Sequence, residues 1–295
     1  NIKTINIEDD CDIDKEIFFI NSLIKEGKFD LLVLDVLDND INKYYTEKLK
    51  ENNYPIVAIT DDSNKRLIHV DVVINANPLQ KSDYYIEESN NYFIGPSYFI
   101  MDFNYSLIKY NNCSKKNPEK ILLTLGGSDH NNLIFKVINA IERLNNQFEI
   151  IIISSDATGY KKKLKQYILK SKHSYKLKFD TPGLMDFFNF CDFAITAGGN
   201  TLFERIASGK PGVTICQLVR QNEIANKFES LGFNLNIGDG NKLTDSIISK
   251  KLSYFVNNFE DYDAKMLSSK NLIDGKGVDR VSEIIVKNLK KISYV

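Results

Sequence analysis

Seven short, predominantly apolar runs recur along this chain, at residues 31–36, 56–60, 72–74, 121–125, 150–153, 193–196 and 213–216, with Asp35 and single threonines the polar residues among them. Segments of helix length sit between them, at 16–26, 132–144, 160–170, 202–208 and 223–231. A strand with one wet face alternates apolar and polar residues. A continuous run belongs to a strand covered on both faces, as in a parallel sheet. Strands alternating with helices imply right-handed crossovers and a doubly wound α/β architecture. A chain of 295 residues exceeds what one core fills, so two domains of about 100 to 170 residues each are expected. The polar stretch YNNCSKKNPE at 110–119 lacks apolar periodicity and supplies the seam. The expected domains are 1–112 and 118–295. Beyond 243 the pattern is helical, and 277–289 is expected to pack back across both domains.

The bulk chemistry excludes several classes. Lysine and arginine number 38 against 39 acidic residues, a net charge of −1, so no global field draws the chain to nucleic acid or to an anionic membrane. Cys11, Cys113, Cys191 and Cys216 lie far apart with no C-x-x-C pair, which speaks against a zinc site, a redox pair or a disulfide framework. A reduced, cytoplasmic protein without metal or cofactor is expected. No run reaches the ~18 to 20 apolar residues of a membrane span, so no stable membrane insertion is expected. The opening Asn1-Ile2-Lys3-Thr4 is neither a signal peptide nor led by methionine, as in a processed chain or a piece of a longer one.

Two glycine turns carry the candidate chemistry. The run at 121–125 ends in Gly126-Gly127-Ser128-Asp129 and leads into a helix. The run at 193–196 ends in Ala197-Gly198-Gly199-Asn200-Thr201 and leads into a second. Glycines there let backbone approach a ligand, and the helix that follows offers unpaired N–H groups and its positive end to phosphate. Ser128 or Asp129 could equally cap the first helix. Glu204, about one turn into the second helix, is placed to accept hydrogen bonds from both ribose hydroxyls; the alternative is surface charge. Gln221 and Asn222, in the loop after the next strand, are candidates to bind a base or sugar or are ordinary polar residues.

Other residues carry less. His130 beside the first turn is a candidate base or a solvent-facing helix-start residue. His69 and His173 have no partners at metal-ligand spacing. Lys161, Lys162, Lys163 and Lys165 read as a solvated helix face. The chain has neither a G-x-S-x-G elbow nor a P-loop lysine.

With these residues laid out, the chain resembles the UDP-sugar hydrolases of pseudaminic-acid biosynthesis and the related spore-coat polysaccharide proteins. The nucleotide-binding half of that group is similar to MurG-type glycosyltransferases. The resemblance is carried by LLTLGGSDHNNLIFKVINAI at 122–141 and CDFAITAGGNTLFERIASGKP at 191–211. In the first domain it is carried by Asp61-Asp62, HVDVVINAN at 69–77 and YFIGPSY at 92–98, so it runs over residues 15–280. It implies two Rossmann-like domains in a GT-B-like arrangement, with UDP held by the second. It also implies hydrolysis of a UDP-linked 2,4-diacetamido-2,4,6-trideoxy hexose by water attacking the anomeric carbon. Gly126, Gly127, Ser128, Gly198, Gly199, Asn200 and Thr201 would cradle the diphosphate, and Glu204 would hold the ribose. Gln221 or Asn222 would reach the base, while Asn75 and Tyr98 would lie on the sugar side.

The chain departs from that pattern at three places. The family's N-terminal G-x-G-H-x-x-R loop, whose histidine is the expected base, has no counterpart here. It would lie further upstream of Glu16 than the fifteen residues this chain has there, so the first domain is expected to be incomplete at its N-terminus. Asp62 is the stand-in candidate. Leu37 stands where the family tends to carry tyrosine, and Met101-Asp102 where it tends to carry arginine. A glycosyltransferase using the same pocket and a non-catalytic nucleotide-sugar-binding homologue are the rival readings.

Overall fold

The structure is a computed structural model that describes residues 12–27, 29–35, 43–51, 53–61, 69–79, 91–110, 115–127, 129 and 132–292. It divides into two compact units, 1–98 with 279–295, and 99–278.

In the first unit the described strands β1 (Leu32–Asp35), β2 (Ile56–Thr60), β3 (Val72–Asn75) and β4 (Asn91–Ile94) form one parallel sheet in the order β1-β2-β3-β4. Successive side chains of a strand point to opposite faces, and here both faces are covered. Ile56, Ala58 and Val73 pack with Ile17 of helix α1 (Ile13–Lys25) and with Tyr45 and Leu49 of α2 (Lys43–Lys50). The intervening Val57, Val72 and Ile74 pack with Val281 and Ile284 of the C-terminal helix, Gly277–Ile292. Tyr44 and Tyr45 donate their hydroxyls to Asp14 and Glu16 at 2.6 and 2.8 Å, tying α2 to α1. The terminal helix belongs to this unit from Asp279 onward, anchored by Arg280 Nη1 donating to Ser97 O at 2.9 Å.

The second unit holds six parallel strands in the order β10-β9-β8-β5-β6-β7. They are β5 (Lys120–Thr124), β6 (Glu149–Ser154), β7 (Ser174–Phe179), β8 (Phe193–Ala197), β9 (Gly212–Cys216) and β10 (Leu235–Asp239). Helices α3 (Leu133–Glu142), α4 (Lys161–Tyr167), α5 (Met185–Phe190), α6 (Asn200–Ala207), α7 (Val219–Ser230), α8 (Asp245–Asn257) and α9 (Phe259–Met266) complete it. With the terminal helix as α10, the order matches the expected doubly wound pattern. Ile121, Leu123, Phe193, Ile195, Val213 and Ile215 pack with α3 and α8 in one core. Leu122 and Ala194, between them in sequence, are equally buried, and α6 and α7 lie against β8, β9 and β10.

The division between units falls before the polar seam. Residues 99–110 pack on the second unit: the Phe99 ring stacks on Phe203 at 4.2 Å, and Tyr110 donates to Ala207 O at 2.8 Å. The chain therefore enters the second unit at Phe99 rather than at 118, and returns to the first at 279. Against the expected domains 1–112 and 118–295, the two compact units thus part at Phe99, where half-buried Phe99 and Tyr110 pack on α6.

Candidate functional site

In an open parallel sheet, ligands bind beyond the carboxyl ends of the strands where the strand order reverses. That reversal lies between β5 and β8, which pair from Ile121↔Phe193 to Thr124↔Thr196. Both glycine turns follow these two strands, so the fold brings together the motifs 72 residues apart in sequence.

Gly198 is buried at the mouth of β8. A Cβ there would lie 2.8 Å from Gln221 Cβ, 3.1 Å from Cys216 Sγ and 3.2 Å from the Gln221 carbonyl oxygen, so only glycine lets the start of α7 close over this strand end. Gln217 braces the same place. Its Nε2 donates to Leu125 O at 2.8 Å, and its N–H donates to Gln221 Oε1 at 2.9 Å. The remaining Gln221 nitrogen, Nε2, would stand 3.7 Å from a Cβ on Gly199. Asn222 is engaged elsewhere: its Oδ1 accepts from Asn236 Nδ2 at 2.7 Å, which ties α7 to β10. Of the two candidate amides, Gln221 is the one beside the glycines.

Helix α6 opens at Gly199, whose carbonyl accepts from Leu202 N at 2.9 Å. The N–H groups of Asn200 and Thr201, at the first two helical positions, precede the first intrahelical bond and face outward from the helix end. Asn200 is exposed and Thr201 half-buried. This is the positive end of a helix beside two glycines.

The first glycine turn is arranged differently. Gly126 has φ +84°, and among the described residues none lies within 4 Å of where its Cβ would be. The first-turn amides of α3, however, are taken. Asp129 is buried, its Oδ1 accepts from Leu133 N at 2.9 Å and its Oδ2 from Ile134 N at 3.0 Å. Of the two readings of this turn the structure has the cap: the carboxylate occupies the place a phosphate would take on α3, whereas α6 has no side-chain cap. Ser128 and His130 lie outside the described residues.

Glu204 is half-buried on α6. Burial holds its carboxyl above the usual range; the Tyr105 hydroxyl opposes this, and the charge of Asp102 adds to it. Tyr105, 2% exposed, has its hydroxyl pKa raised by burial and by Glu204. Asp102 caps the short turn Phe103–Leu107, its Oδ1 accepting from Asn104 N at 2.8 Å. Sequence reasoning missed Tyr105 because it lies 99 residues from Glu204 in a turn with no periodicity; the one local signal was the Asp-x-Asn cap that precedes it.

In the first unit Asn75 is fully buried at the end of β3, and its Oδ1 accepts from Asn77 N at 2.9 Å. Asn77 in turn donates to Asp61 O at 2.7 Å. Tyr98 sets its ring edge-on to Phe93 at 5.8 Å. Asp62 and Leu37 lie outside the described residues. Away from these, His173 is a core residue, its Nδ1 accepting from Phe148 N at 3.2 Å. The lysines that open α4 are exposed. Among the described residues, no three His, Cys, Asp or Glu side chains converge as metal ligands would, and no helix is long and apolar enough to cross a membrane.

The solved structures that this chain resembles share its architecture. Acinetobacter baumannii MurG superposes with a TM-score of 0.68 at 12% identity, over 93% of this chain and 78% of that one. The fold is that of the GT-B glycosyltransferases. The UDP co-structure of S. aureus MnaA superposes with a TM-score of 0.65 at 13% identity, over 97% of this chain and 82% of that one. In sequence the chain is similar to the spore coat polysaccharide biosynthesis protein SpsG of Bacillus subtilis (strain 168), 28% identical over 271 residues, 90% of this chain and 79% of that protein. No family model matches.

Proposed function

We propose that this chain binds a UDP-linked sugar through its second unit and cleaves the bond between sugar and diphosphate in surface-polysaccharide biosynthesis. The observation that carries this reading is the meeting of Gly198-Gly199 and the open end of α6 with Gly126 at the β5–β8 reversal. The diphosphate sits against the glycine backbones and the N–H groups of Asn200 and Thr201. Glu204 accepts from the ribose hydroxyls, and Gln221 Nε2 reaches the base or sugar from above Gly199. As the anomeric C–O bond breaks, negative charge grows on the departing diphosphate, and donors already fixed at a helix end stabilise it without reorganising. The UDP held by the MnaA structure and the polysaccharide role in the name of the Bacillus relative support the ligand class and setting.

The resemblance to UDP-sugar hydrolases makes water the acceptor, with a 2,4-diacetamido-trideoxy hexose as the sugar. Water attacks the anomeric carbon, the C–O bond to the β-phosphate breaks and UDP leaves. The likeness in fold to MurG supports a second reading, in which an acceptor hydroxyl takes the place of water. The test is release of UDP from UDP-sugars of this type by the full-length protein. Release with water alone supports hydrolysis; release only on adding an acceptor supports transfer; ligand-induced stabilisation without product leaves a binding protein.

A further inference from the structure

Between Asp156 and Asp180 the chain carries eight lysines and no acidic residue or arginine, although the whole molecule balances 38 basic residues against 39 acidic ones. The fold gathers this charge at one margin of the second unit: on α4, on the turn Ile168–Lys170 that continues it, and on β7, the end strand of the sheet. Leu164 is fully buried and Ile168 packs on the core, so Lys162, Lys165 and Leu169, three and four residues apart, share the outward side. On β7, Tyr175, Leu177 and Phe179 meet the core, and Lys176 and Lys178 stand exposed on the other face. Some of the charge is met locally. Lys161 pairs with Asp156 at 3.2 Å, Lys176 pairs with Glu149 at 2.6 Å, and Lys163 lies 4.2 Å from the centre of the Phe135 ring. Lys162, Lys165, Lys170 and Lys178 are exposed and make no ion pair among the described residues.

We propose that this margin of the second unit docks on the surface of an anionic lipid bilayer, with Lys162, Lys165 and Lys170 against the headgroups, Lys178 flanking them and Leu169 entering the boundary of the acyl chains. Lysine on an edge strand keeps other strands from pairing with it, which accounts for Lys176 and Lys178 but not for the unpaired lysines of α4. A single exposed leucine is ordinary. Leu169, however, is 79% exposed on the same side of the helix as those lysines. Unpaired positive charge around a projecting apolar side chain complements a bilayer, which offers negative headgroups and an apolar layer just below them. Lysine without arginine suits that diffuse charge; the bidentate phosphate contacts of nucleic-acid recognition favour arginine, and a phosphate backbone would leave Leu169 in water. The contact is peripheral, since among the described residues no helix is long and apolar enough to cross a membrane. It is independent of the nucleotide reading, because it uses none of the residues assigned to that site.

The test is co-sedimentation of the full-length protein with phosphatidylcholine vesicles, with and without phosphatidylglycerol, at low and high salt. The wild type is expected to bind only the vesicles that contain phosphatidylglycerol, and to bind them more weakly as salt screens the lysines. Lys162→Gln, Lys165→Gln and Lys170→Gln should each lower the partition coefficient about fivefold, and Leu169→Ser about tenfold or more. All four side chains project outward, so the variants are expected to melt at the wild-type temperature, which shows that a loss of binding is not a loss of fold. A wild type that ignores phosphatidylglycerol vesicles, or variants that bind them as the wild type does, overturns the proposal. Loss in the lysine variants with Leu169→Ser unchanged also overturns it, and points to a soluble polyanion as the partner.

Discussion

Gln217 Nε2 donates to the carbonyl oxygen of Leu125 across 2.8 Å, so the residue that follows β9 reaches past β8 to the end of β5. The span crosses the strand end that carries Gly198 and holds the two glycine turns at a fixed separation. Gln217→Ala removes it and frees the Gln221 amide to turn. The expected cost is about 1 kcal/mol of stability, with a larger proportional loss of UDP affinity, read by urea denaturation and calorimetry on the same samples.

Gly198→Ala puts a methyl group within 2.8 Å of Gln221 Cβ and 3.1 Å of Cys216 Sγ. The start of α7 must move outward, at about 1 to 3 kcal/mol for an overpacked site. Because α7 carries Gln221, the thermal shift given by UDP is expected to vanish in this variant even at temperatures where it remains folded.

Asp129→Ala leaves the amides of Leu133 and Ile134 without their acceptor. Loss of such a cap costs about 1 to 2 kcal/mol, expected as a lower urea midpoint with an unchanged slope. UDP affinity is not expected to change, because the phosphate is assigned to α6; a marked rise would show that the freed amides of α3 take the phosphate instead.

Glu204 gives a pH-dependent stability with a defined sign. Burial raises its folded-state pKa above the unfolded value, so the penalty of ionising it is absent below the unfolded value and appears as pH rises through the folded one. Glu204→Gln keeps the shape of the side chain and removes the charge. Its melting temperature is expected to exceed that of the wild type at neutral pH, with the gap closing toward about pH 4. A gap that widens on acidification contradicts the assignment.

Much of the second unit's sheet was legible because β5, β6, β8 and β9 are buried on both faces and read as largely apolar runs, broken only by buried threonines in β5, β8 and β9. Strand β7 was not, since it lies at the sheet edge and alternates lysine with apolar residues in Ser174–Phe179. Strand β10 is interrupted by a register shift between Asn236 and Gly238, where Gly238 takes φ +99°, and β4 carries only four residues. The glycine turns announced themselves by composition. The cap at Asp129 is local and was among the readings the sequence offered. What sequence could not supply was that Asn222 is taken by Asn236 and that Tyr105, 99 residues away, acts on Glu204. Both are set by tertiary packing, which leaves no local period to read.

The central claim is that the end of α6 and Glu204 together hold the nucleotide. Titration of UDP into the wild type and Glu204→Ala by calorimetry tests it most directly. Saturable binding in the wild type, weakened about tenfold or more in the variant, is the predicted result. No binding in the wild type, or equal affinity in both proteins, would contradict it.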